Sequence, residues 1–512
     1  MDRTDRILSW TAGIFLVLFA ALLFSDNRAD VDLWGNLGFV KTLPGQPGFH
    51  TVNTYSFTAP DNPWINHEWL AEYLFDRTNH HTGTTGLLAL KTLLGFILLF
   101  AMMAGQRPSM RGPGAWIFLL LIISNLGYGF GMRPHLLTFL FAAGYLQVLC
   151  RGSRLRGIHA LTLALATGLW ANVHGAFFIG TLLILAALFQ ELAVCAIRRQ
   201  SPFRSSRAGW LTAALVAGIA LTRLNPYGWD LWKFIGESAG FFRPYLSEWA
   251  PFNPRTDFVK HPDFIALALV VGAAAWRYRR HISGTSHVAL ALSFLAACLM
   301  VRNIPLFALT AGMVAWPAVR PLVEGPLDSI RRVIPRPVQL AVLLLMLIPI
   351  GWTFHHRPVP HRIIVEPGRY PVALIRWMHD QPLRGNLLTF FDWGELAIWH
   401  LYPQYRVFID GRLDCCYPPG VIRDYVDFLY ATDPQRASAA LNQYPTDLVL
   451  IHVENPGFLR MRNRPDWILV AISYPGALFA KQSVHAAWLS SLHPEPSLPI
   501  HIPPPTRPVL FP

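Results

Sequence analysis

Charge is scarce in this sequence. Only 14% of its 512 residues are charged and 53% are hydrophobic, against roughly 25% charged in soluble domains. That excludes an ordinary soluble globular chain. Cysteine is scarce too: the five present have neither metal-ligand spacing nor the pattern of a disulfide framework. Two of them, Cys415 and Cys416, are adjacent, where a mutual bond is strained. There is no internal repeat. The net charge of +13 has no single basic patch behind it, which argues against nucleic acid as a partner. The arginines stand instead in short clusters between apolar runs, the topology signal of a membrane protein.

What is abundant is apolar sequence in runs of roughly 20 residues, with 18 Trp and 33 Phe, the pattern of a polytopic membrane protein in contact with membrane lipids. The run Ile7–Phe24 is long and lacks a small-residue cleavage site after it, so it is expected to be an uncleaved first span. Spans are expected near 7–24, 83–104, 114–129, 134–150, 157–171, 175–196, 208–224, 263–276, 285–301, 303–319 and 337–354, about eleven. With a cytoplasmic N-terminus, the inner segments hold Arg3 and Arg6; Arg107 and Arg111; Arg151, Arg154 and Arg156; Arg198, Arg199, Arg204 and Arg207; Arg277, Arg279 and Arg280; then Arg320, Arg331, Arg332 and Arg336. The short outer turns hold one arginine or none. This alternation implies an N-in, C-out topology.

The expected architecture is an α-helical membrane domain over 1–355, with outer loops 25–82 and 225–262, an extracytoplasmic α/β domain over 356–490, and a Pro-rich tail over 491–512. Strand patterns lie at 387–391, 405–410, 447–453, 467–473 and 477–482, and helical patterns near 368–380, 394–401, 419–431 and 434–444. The last twenty residues hold eight prolines and are expected to be extended and poorly ordered.

Polar and backbone-bending residues gather at the outer ends of these spans: Asp30 and Asp32 in DVDLW, His67 and Glu68 in NHEW, Arg133 and His135 in RPH, Asn172 and His174 in NVHG, Tyr227 in NPYG, Glu248 in SEW, and Arg302 before Asn303. The inner ends offer only solvated arginines. Ionisable groups at a bilayer are costly and usually face a cavity, so this one-sidedness points to a site at the outer surface. Plainer roles exist for each group. Asp30 and Asp32 suit the cap of a short helix starting at Leu33, and His67 and Glu68 a solvated helix start. Arg133 and Arg302 suit snorkelling anchors, although each stands alone in a short outer turn, which favours anion binding. His135 and His174 serve equally as structural histidines, and Asn225-Pro226-Tyr227-Gly228 as a turn ending a span. Trp34, Trp64, Trp69 and Trp249 suit an interfacial aromatic belt.

An acidic motif just after the first span resembles the lipid-dependent glycosyltransferases of the GT-C superfamily. The resemblance runs through ADVDLWGNLGF, TYSFTAPDNPWINHEWLAEYLF, RPHLLTF, WANVHGAFFIG and LNPYG, and on through FFDWGELAIWHL and RVFIDGRLD. It is similar in these respects to a poorly characterised bacterial subgroup, and it implies transfer of a sugar from a polyprenyl-phosphate donor to a glycan, lipid or protein acceptor at the outer face of the inner membrane. One of Asp30 and Asp32 would then be the base that takes the acceptor proton. Arg133 and Arg302, helped by His135 or His174, would bind the leaving lipid phosphate. His67, Glu68, Asn172, Tyr227 and Glu248 would line the substrate pocket, with the loop near Lys233 and Arg243 closing over the donor. Superfamily members often carry Asp-Glu where this chain has Asp-Val-Asp, which leaves metal dependence open: two carboxylates can hold Mg²⁺ or Mn²⁺, but two alone are not a site. Asp392 in DWG, and Asp410 with Arg412 in DGR, each follow an expected strand, where open α/β sheets bind ligands; both also suit plain turns. Two other classes fit in part. A transporter or flippase needs polar residues through to the inner face, and a non-catalytic envelope scaffold would not need the aspartates.

Overall fold

The computed structural model describes residues 3–41, 51–104, 110, 112–151, 155–240, 246–492 and 499–512. Arg107, Arg111, Arg154 and Arg243, and part of the Pro-rich tail, lie outside the described residues. The chain divides into two compact units. A helical unit comprises Met1–Asp26, Gly86–Trp229 and Phe242–Pro360; an α/β unit comprises Asn27–Thr85, Asp230–Phe241 and His361–Pro512. The segment expected as an outer loop of the membrane domain therefore belongs to the same compact unit as the C-terminal sheet.

Each of the eleven expected spans overlaps a helix, some running past its end into a turn or break. Among the described residues, Arg3–Phe24, Trp69–Ala104, Gly175–Ile197 and Arg336–His356 are long and apolar enough to cross a membrane. A bent pair, Val301–Val314 with Trp316–Leu327, is a fifth if counted as one span. Shorter apolar helices such as Pro113–Gly127 and Gly157–Val173 reach about 25 Å at 1.5 Å per residue, short of a ~30 Å hydrocarbon core. Among the described residues, length and apolarity thus mark four or five crossings rather than the eleven expected from the apolar runs.

Burial sorts these helices. All eleven residues of Ile304–Val314 are buried, so this helix is the centre of the unit. It packs against Pro113–Gly127 and Gly284–Leu299. Arg336–His356 is the opposite: only Ile350 is buried, and Val338, Leu345, Ile348 and Trp352 stand exposed. So much exposed apolar surface suits lipid rather than water.

Two breaks have local causes. Residues Trp69–Ala104 are interrupted at Gly83, whose φ of 62° and ψ of −167° leave the helical region; this is where the expected 83–104 span begins. The expected span 303–319 is not one straight helix. It ends at Val314 and resumes at Trp316 at an angle of 81°. Pro317 follows, and proline lacks the N–H that would continue the helical ladder.

The α/β unit carries β1 (Ile364–Val365), β2 (Gly385–Thr389), β3 (Tyr405–Val407), β4 (Leu448–His452), β5 (Trp467–Ser473), β6 (Gly476–Lys481), β7 (Ile500–His501) and β8 (Val509–Leu510). Six form one sheet in the order β3-β2-β4-β6-β5-β7. β2 runs parallel to both β3 and β4, whereas β6 is antiparallel to β4 and β5. β4 reads as an unbroken apolar run because Leu448, Val449, Leu450 and Ile451 are all buried. The five expected strands are β2 to β6.

Two segments of 27–85 dock on this unit by main-chain bonds. Ala29 N donates to Ile364 O at 2.8 Å, and Ile364 N donates to Asn27 O at 2.8 Å. Farther on, Val407 N donates to Tyr55 O at 3.0 Å and Phe57 N to Val407 O at 3.2 Å, so the chain near Ser56 runs alongside β3. The end of the Pro-rich tail differs from expectation. β7 pairs with β5 and β8 with β1, and Phe511 is buried, its ring 5.2 Å from that of Trp34. Prolines exclude central strands, but short edge pairings between them remain open to the chain.

Candidate functional site

The acidic motif stands at the head of the helix Leu33–Lys41. Asp30 Oδ1 accepts from Asp32 N at 3.1 Å, while Asp30 O accepts from Leu33 N and Asp32 O from Asn36 N. Asp32 is thus the residue from which the helix starts, and the Asp30 carboxylate shapes the turn before it. This helix packs against a second one, Gly394–Leu401, which follows β2. The carboxyl group of Glu395 on that second helix reaches across: its Oε2 accepts from Gly35 N at 3.0 Å.

Glu395 sits between two glycines. A Cβ on Gly35 would collide with its Oε2; one on Gly411 would collide with Oε1 and stand 3.3 Å from Asp32 Oδ1. Only glycine leaves room for the acid at both points. Burial pushes the Glu395 carboxyl well above its ordinary range, and the negative charges of Asp32 and Asp410 add to this, against the Gly35 N–H and Arg412. Gly394 is equally constrained, since a Cβ there would lie 2.8 Å from both Asp410 Cα and Ile409 O. The DWG and DGR turns, at the carboxyl ends of parallel strands β2 and β3, are therefore in backbone contact, as their expected positions allow.

Asp410 and Arg412 form a closed pair. Arg412 Nε donates to Asp410 Oδ1 at 2.8 Å and Nη2 to Oδ2 at 2.7 Å; Tyr417 Oη donates to Asp410 Oδ2 at 2.5 Å. Burial alone would raise the Asp410 carboxyl, but the Arg412 guanidinium and the Tyr417 hydroxyl outweigh it and hold the group below its usual value. Arg412 Nη2 also donates to Asn53 Oδ1 at 2.9 Å. Among the described residues its Nη1 finds no hydrogen-bond partner, yet the guanidinium lies 4.9 Å from the ring centre of Phe39, 5.1 Å from Tyr55 and 4.6 Å from Trp64. Trp64 is therefore a wall of a cation cage rather than part of an interfacial belt. Trp34 is likewise buried, its ring 4.7 Å from that of Tyr370. Folding of 27–85 into the α/β unit withdraws both indoles into its core.

Nearby in the chain, His67 Nε2 lies 3.7 Å from Glu68 Oε1, both about a quarter exposed, and the His67 ring packs 5.1 Å from Phe234. Asn66 organises this helix start: its Oδ1 accepts from Glu68 N and its Nδ2 donates to the buried Glu72 carboxyl at 2.7 Å. Asp392 is half-buried in the turn after β2.

A second set of the expected residues meets in the helical unit. Arg133 Nη1 and Arg302 Nη1 each lie 3.4 Å from the same oxygen, Glu248 Oε1. Arg302 also stacks 4.4 Å over the Trp249 ring, so neither arginine is the isolated anchor its sequence position allowed. His135 Nε2 bonds Gly129 O at 2.9 Å, and Arg133, Arg302 and His174 are close enough to act on its charge. His174 caps a short turn. Its Nδ1 accepts from Ala176 N at 3.1 Å and meets Thr138 Oγ1 at 3.0 Å, whose oxygen in turn accepts from Trp170 Nε1. That leaves Nε2 as the nitrogen bearing the proton. Asn172 Oδ1 accepts from Asn225 Nδ2 at 3.3 Å, and Asn225 Oδ1 accepts from Tyr227 N. With Gly228 at φ 57°, NPYG is the turn its composition suggests. Among the described residues no group of three or more His, Cys, Asp or Glu is placed to hold a metal ion.

Glu395, Tyr417, Asn53 and the rings of the cage escaped sequence reasoning. One signal for Glu395 was present: an acid directly after DWG, opening the otherwise apolar ELAIWHL.

The fold is similar to that of solved structures of two known proteins. The archaeal oligosaccharyltransferase AglB of Archaeoglobus fulgidus, in complex with an inhibitory peptide and a dolichol-phosphate, matches with a TM-score of 0.56 at 12% identity, covering 88% of this chain and 70% of that one. ArnT from Cupriavidus metallidurans, bound to undecaprenyl phosphate, matches with a TM-score of 0.51 at 12% identity, over 94% of this chain and 98% of that one. At such identities the shared property is the fold. No family model matches the chain, and no curated protein matches it by sequence.

Proposed function

We propose that the protein transfers a sugar from a polyprenyl-phosphate donor to an acceptor outside the cytoplasm, with the N-terminus cytoplasmic and the α/β unit extracytoplasmic. The observation that carries this is a carboxylate motif after the first apolar helix, set at the head of a short helix in a fold similar to that of AglB and ArnT. The neighbouring structures hold dolichol-phosphate and undecaprenyl phosphate, which supports a lipid phosphate as the leaving group here.

The chemistry assigned to the residues is an in-line displacement. The acceptor hydroxyl attacks the anomeric carbon, its oxygen forms the new glycosidic bond, and its proton passes to the carboxylate of Asp30 or Asp32. The bond from the anomeric carbon to the phosphate oxygen breaks, and its electron pair leaves with the lipid phosphate. Within the helical unit, Arg133 and Arg302 are assigned to binding a phosphate. Their present partner, Glu248, is a half-exposed carboxylate that an incoming phosphate oxygen can replace. The DWG turn, with its half-buried Asp392, is assigned to the acceptor side, whereas the closed Asp410–Arg412 pair of DGR is structural.

The test is release of polyprenyl phosphate from a panel of polyprenyl-phosphate hexoses and pentoses by detergent-purified protein, with membrane extract as acceptor source. Loss on the order of 10²- to 10⁴-fold in Asp30→Asn or Asp32→Asn is expected and identifies the base. Turnover that survives both changes equally would leave the motif as a helix cap and overturn the reading.

A further inference from the structure

The carboxyl edge of the sheet holds a group of side chains that the transfer chemistry does not use. β2 lies between β3 and β4 and runs parallel to both. The chain leaves β2 through the helix Gly394–Leu401 to reach β3 on one side. It returns through Pro419–Tyr430 and Pro434–Asn442 to reach β4 on the other. Right-handed crossovers in opposite directions place those helices on opposite faces of the sheet. The helix after β4, Pro456–Arg462, packs with Pro419–Tyr430, so the loops after β2 and β4 diverge. A sheet wound this way opens a crevice between the carboxyl ends of those two strands, where open α/β sheets bind ligands.

The residues at that point are few and already held in place. His452 ends β4, its ring centre 5.7 Å from that of the buried Trp393, which follows β2. Its Nδ1 accepts from Glu454 N at 3.1 Å, so the proton sits on Nε2. Burial disfavours the charged form of His452, against the pull of Glu454, and the ring is neutral at pH 7. The turn between β5 and β6 brings Tyr474 beside it. His452 pairs with Gly476, Val453 N donates to Pro475 O at 2.9 Å, and the two rings meet edge to face at 6.1 Å. Tyr474 Oη donates to Glu454 Oε1 at 3.2 Å. Gly368, at φ 83°, comes so close that a Cβ there would stand 3.2 Å from Tyr474 Cε1. Fixed by these contacts, Tyr474 is still 45% exposed. An exposed ring already held in one orientation offers contact area to a ligand at little entropic cost.

We propose that this crevice binds a sugar ring of the acceptor, which makes the acceptor a glycan rather than a lipid or a protein. The inference rests on the function proposed above and extends the acceptor side given to the DWG turn. A pyranose presents an apolar C–H face to an aromatic ring and a rim of hydroxyls that donate and accept. Tyr474 offers the ring, His452 Nε2 a neutral donor, and the exposed Glu454 carboxylate an acceptor. An anion would meet that carboxylate, and a cation gains nothing from an imidazole N–H. A lipid chain would desolvate polar groups without satisfying them. A peptide that binds by its main chain needs an open strand edge, and β2 and β4 are both interior to the sheet.

The test uses the full-length protein in a detergent without a sugar headgroup. The probes are free di- and trisaccharides of glucose, galactose, mannose, rhamnose and N-acetylglucosamine. Saturation-transfer difference NMR reads which ligand protons touch the protein. At least one saccharide is expected to bind at millimolar concentration or below, with the strongest transfer on the C–H protons of one ring face. Tyr474→Ala should weaken that binding roughly tenfold, the order of one stacked ring, and Tyr474→Phe should retain most of it. His452→Phe removes the donor and should cost roughly three- to tenfold. Binding by none of the saccharides, or binding that Tyr474→Ala and His452→Phe both leave unchanged, overturns the proposal. Binding is read first in the wild type, so a variant that fails to fold does not shield it. The turnover assay separates this inference from the function beneath it. With a radiolabelled donor and membrane extract, label should enter a product that resists both chloroform–methanol extraction and protease. Tyr474→Ala should raise the acceptor KM with kcat unchanged. Label in a lipid or protease-sensitive product, with Asp30→Asn or Asp32→Asn dead, leaves the transferase standing and overturns the glycan assignment. Saccharide binding that Tyr474→Ala abolishes, in a protein whose turnover survives both aspartate changes, leaves the sugar site standing and overturns the catalytic reading.

Discussion

The two units treat arginine in opposite ways. In the α/β unit Arg412 is 7% exposed, locked to Asp410 at 2.7 Å and walled by three aromatic rings. In the helical unit Arg133 and Arg302 share one carboxylate oxygen at 3.4 Å, with side chains 20% and 27% exposed. A closed, buried pair has no charge to offer a ligand; its neutralised dipole holds segments together. A looser, wetter pair of cations can exchange its carboxylate for another anion at little cost, because water already solvates part of each group. The first arrangement is architecture and the second is suited to binding, so the two should respond differently to the same kind of substitution.

The largest effect is expected where the pair is closed. Arg412→Met strands the Asp410 carboxylate in the core without a cation, held by Tyr417 Oη and the backbone N–H of residue 412, at a loss of about 3–5 kcal/mol. It also removes the tie to Asn53 and the cage of Phe39, Tyr55 and Trp64, so protection of 51–68 from proteolysis should fall with it. Chemical denaturation monitored by Trp fluorescence checks the first expectation and limited proteolysis the second. The double variant Asp410→Leu with Arg412→Met should regain part of the loss, since no charge is then left buried. Equal stability of single and double variants would mean that the pair does not hold the unit together.

Next comes a pH effect confined to the same unit. Glu395 has its carboxyl raised above the ordinary 4.5 by burial and by its acidic neighbours. The native state therefore holds a proton that the unfolded chain releases as pH climbs past that ordinary value. Stability from this group is fully present below about pH 4.5 and is lost as pH rises toward the raised native value, at up to ~1.4 kcal/mol per pH unit for one linked proton. Glu395→Gln has no such proton to lose. Its stability relative to the wild type should rise between pH 5 and pH 8, and parallel curves over that range would remove Glu395 from the proton-bearing role.

The contrast between the units also explains what could be read along the chain. β4 was plain because four successive buried apolar residues, Leu448–Ile451, form a local pattern; the helix starting at Leu33 was plain because an N-cap and its helix are contiguous. Arg133 and Arg302 were marked by standing in short turns at one end of the apolar runs. Glu395 was marked only by its place directly after DWG; its meaning lies in Gly35, 360 residues away, and local pattern carries no information on such a pairing. Trp34 and Trp64 misled for a related reason: an indole beside an apolar run looks the same whether it faces lipid headgroups or closes over an arginine, and only the docking of 27–85 decides. The helix near Val314 could have been anticipated, since Trp316-Pro317 is a local break signal, yet the continuous apolarity around it outweighed that signal.

In the helical unit the expected effects are smaller and concern binding. Arg302→Gln removes one of two cations and the stacking on Trp249, and should weaken binding of dodecyl phosphate, a single-chain phosphate monoester, about tenfold, or ~1.4 kcal/mol. Arg133→Gln should act in the same direction. Thermal stability should change little in either, because the ion pairs they lose are partly exposed. A large drop in stability with unchanged binding would place these arginines with Arg412 as architecture and erase the contrast between the units.

The smallest effect has the opposite sign and is the sharper for it. Glu248 holds the spot between Arg133 and Arg302 that a phosphate oxygen would take, with one oxygen serving both cations. Glu248→Gln keeps the size and hydrogen-bonding reach of the side chain but withdraws the competing charge. Binding of dodecyl phosphate should therefore tighten by about threefold, ~0.7 kcal/mol, at low ionic strength, and the gain should shrink as salt screens the arginines in both proteins. Equilibrium binding at two salt concentrations measures both effects. If Glu248 instead organises the arginines, Glu248→Gln loosens them and binding weakens at either salt concentration. The sign of this one change therefore separates a carboxylate that occupies an anion site from one that builds it.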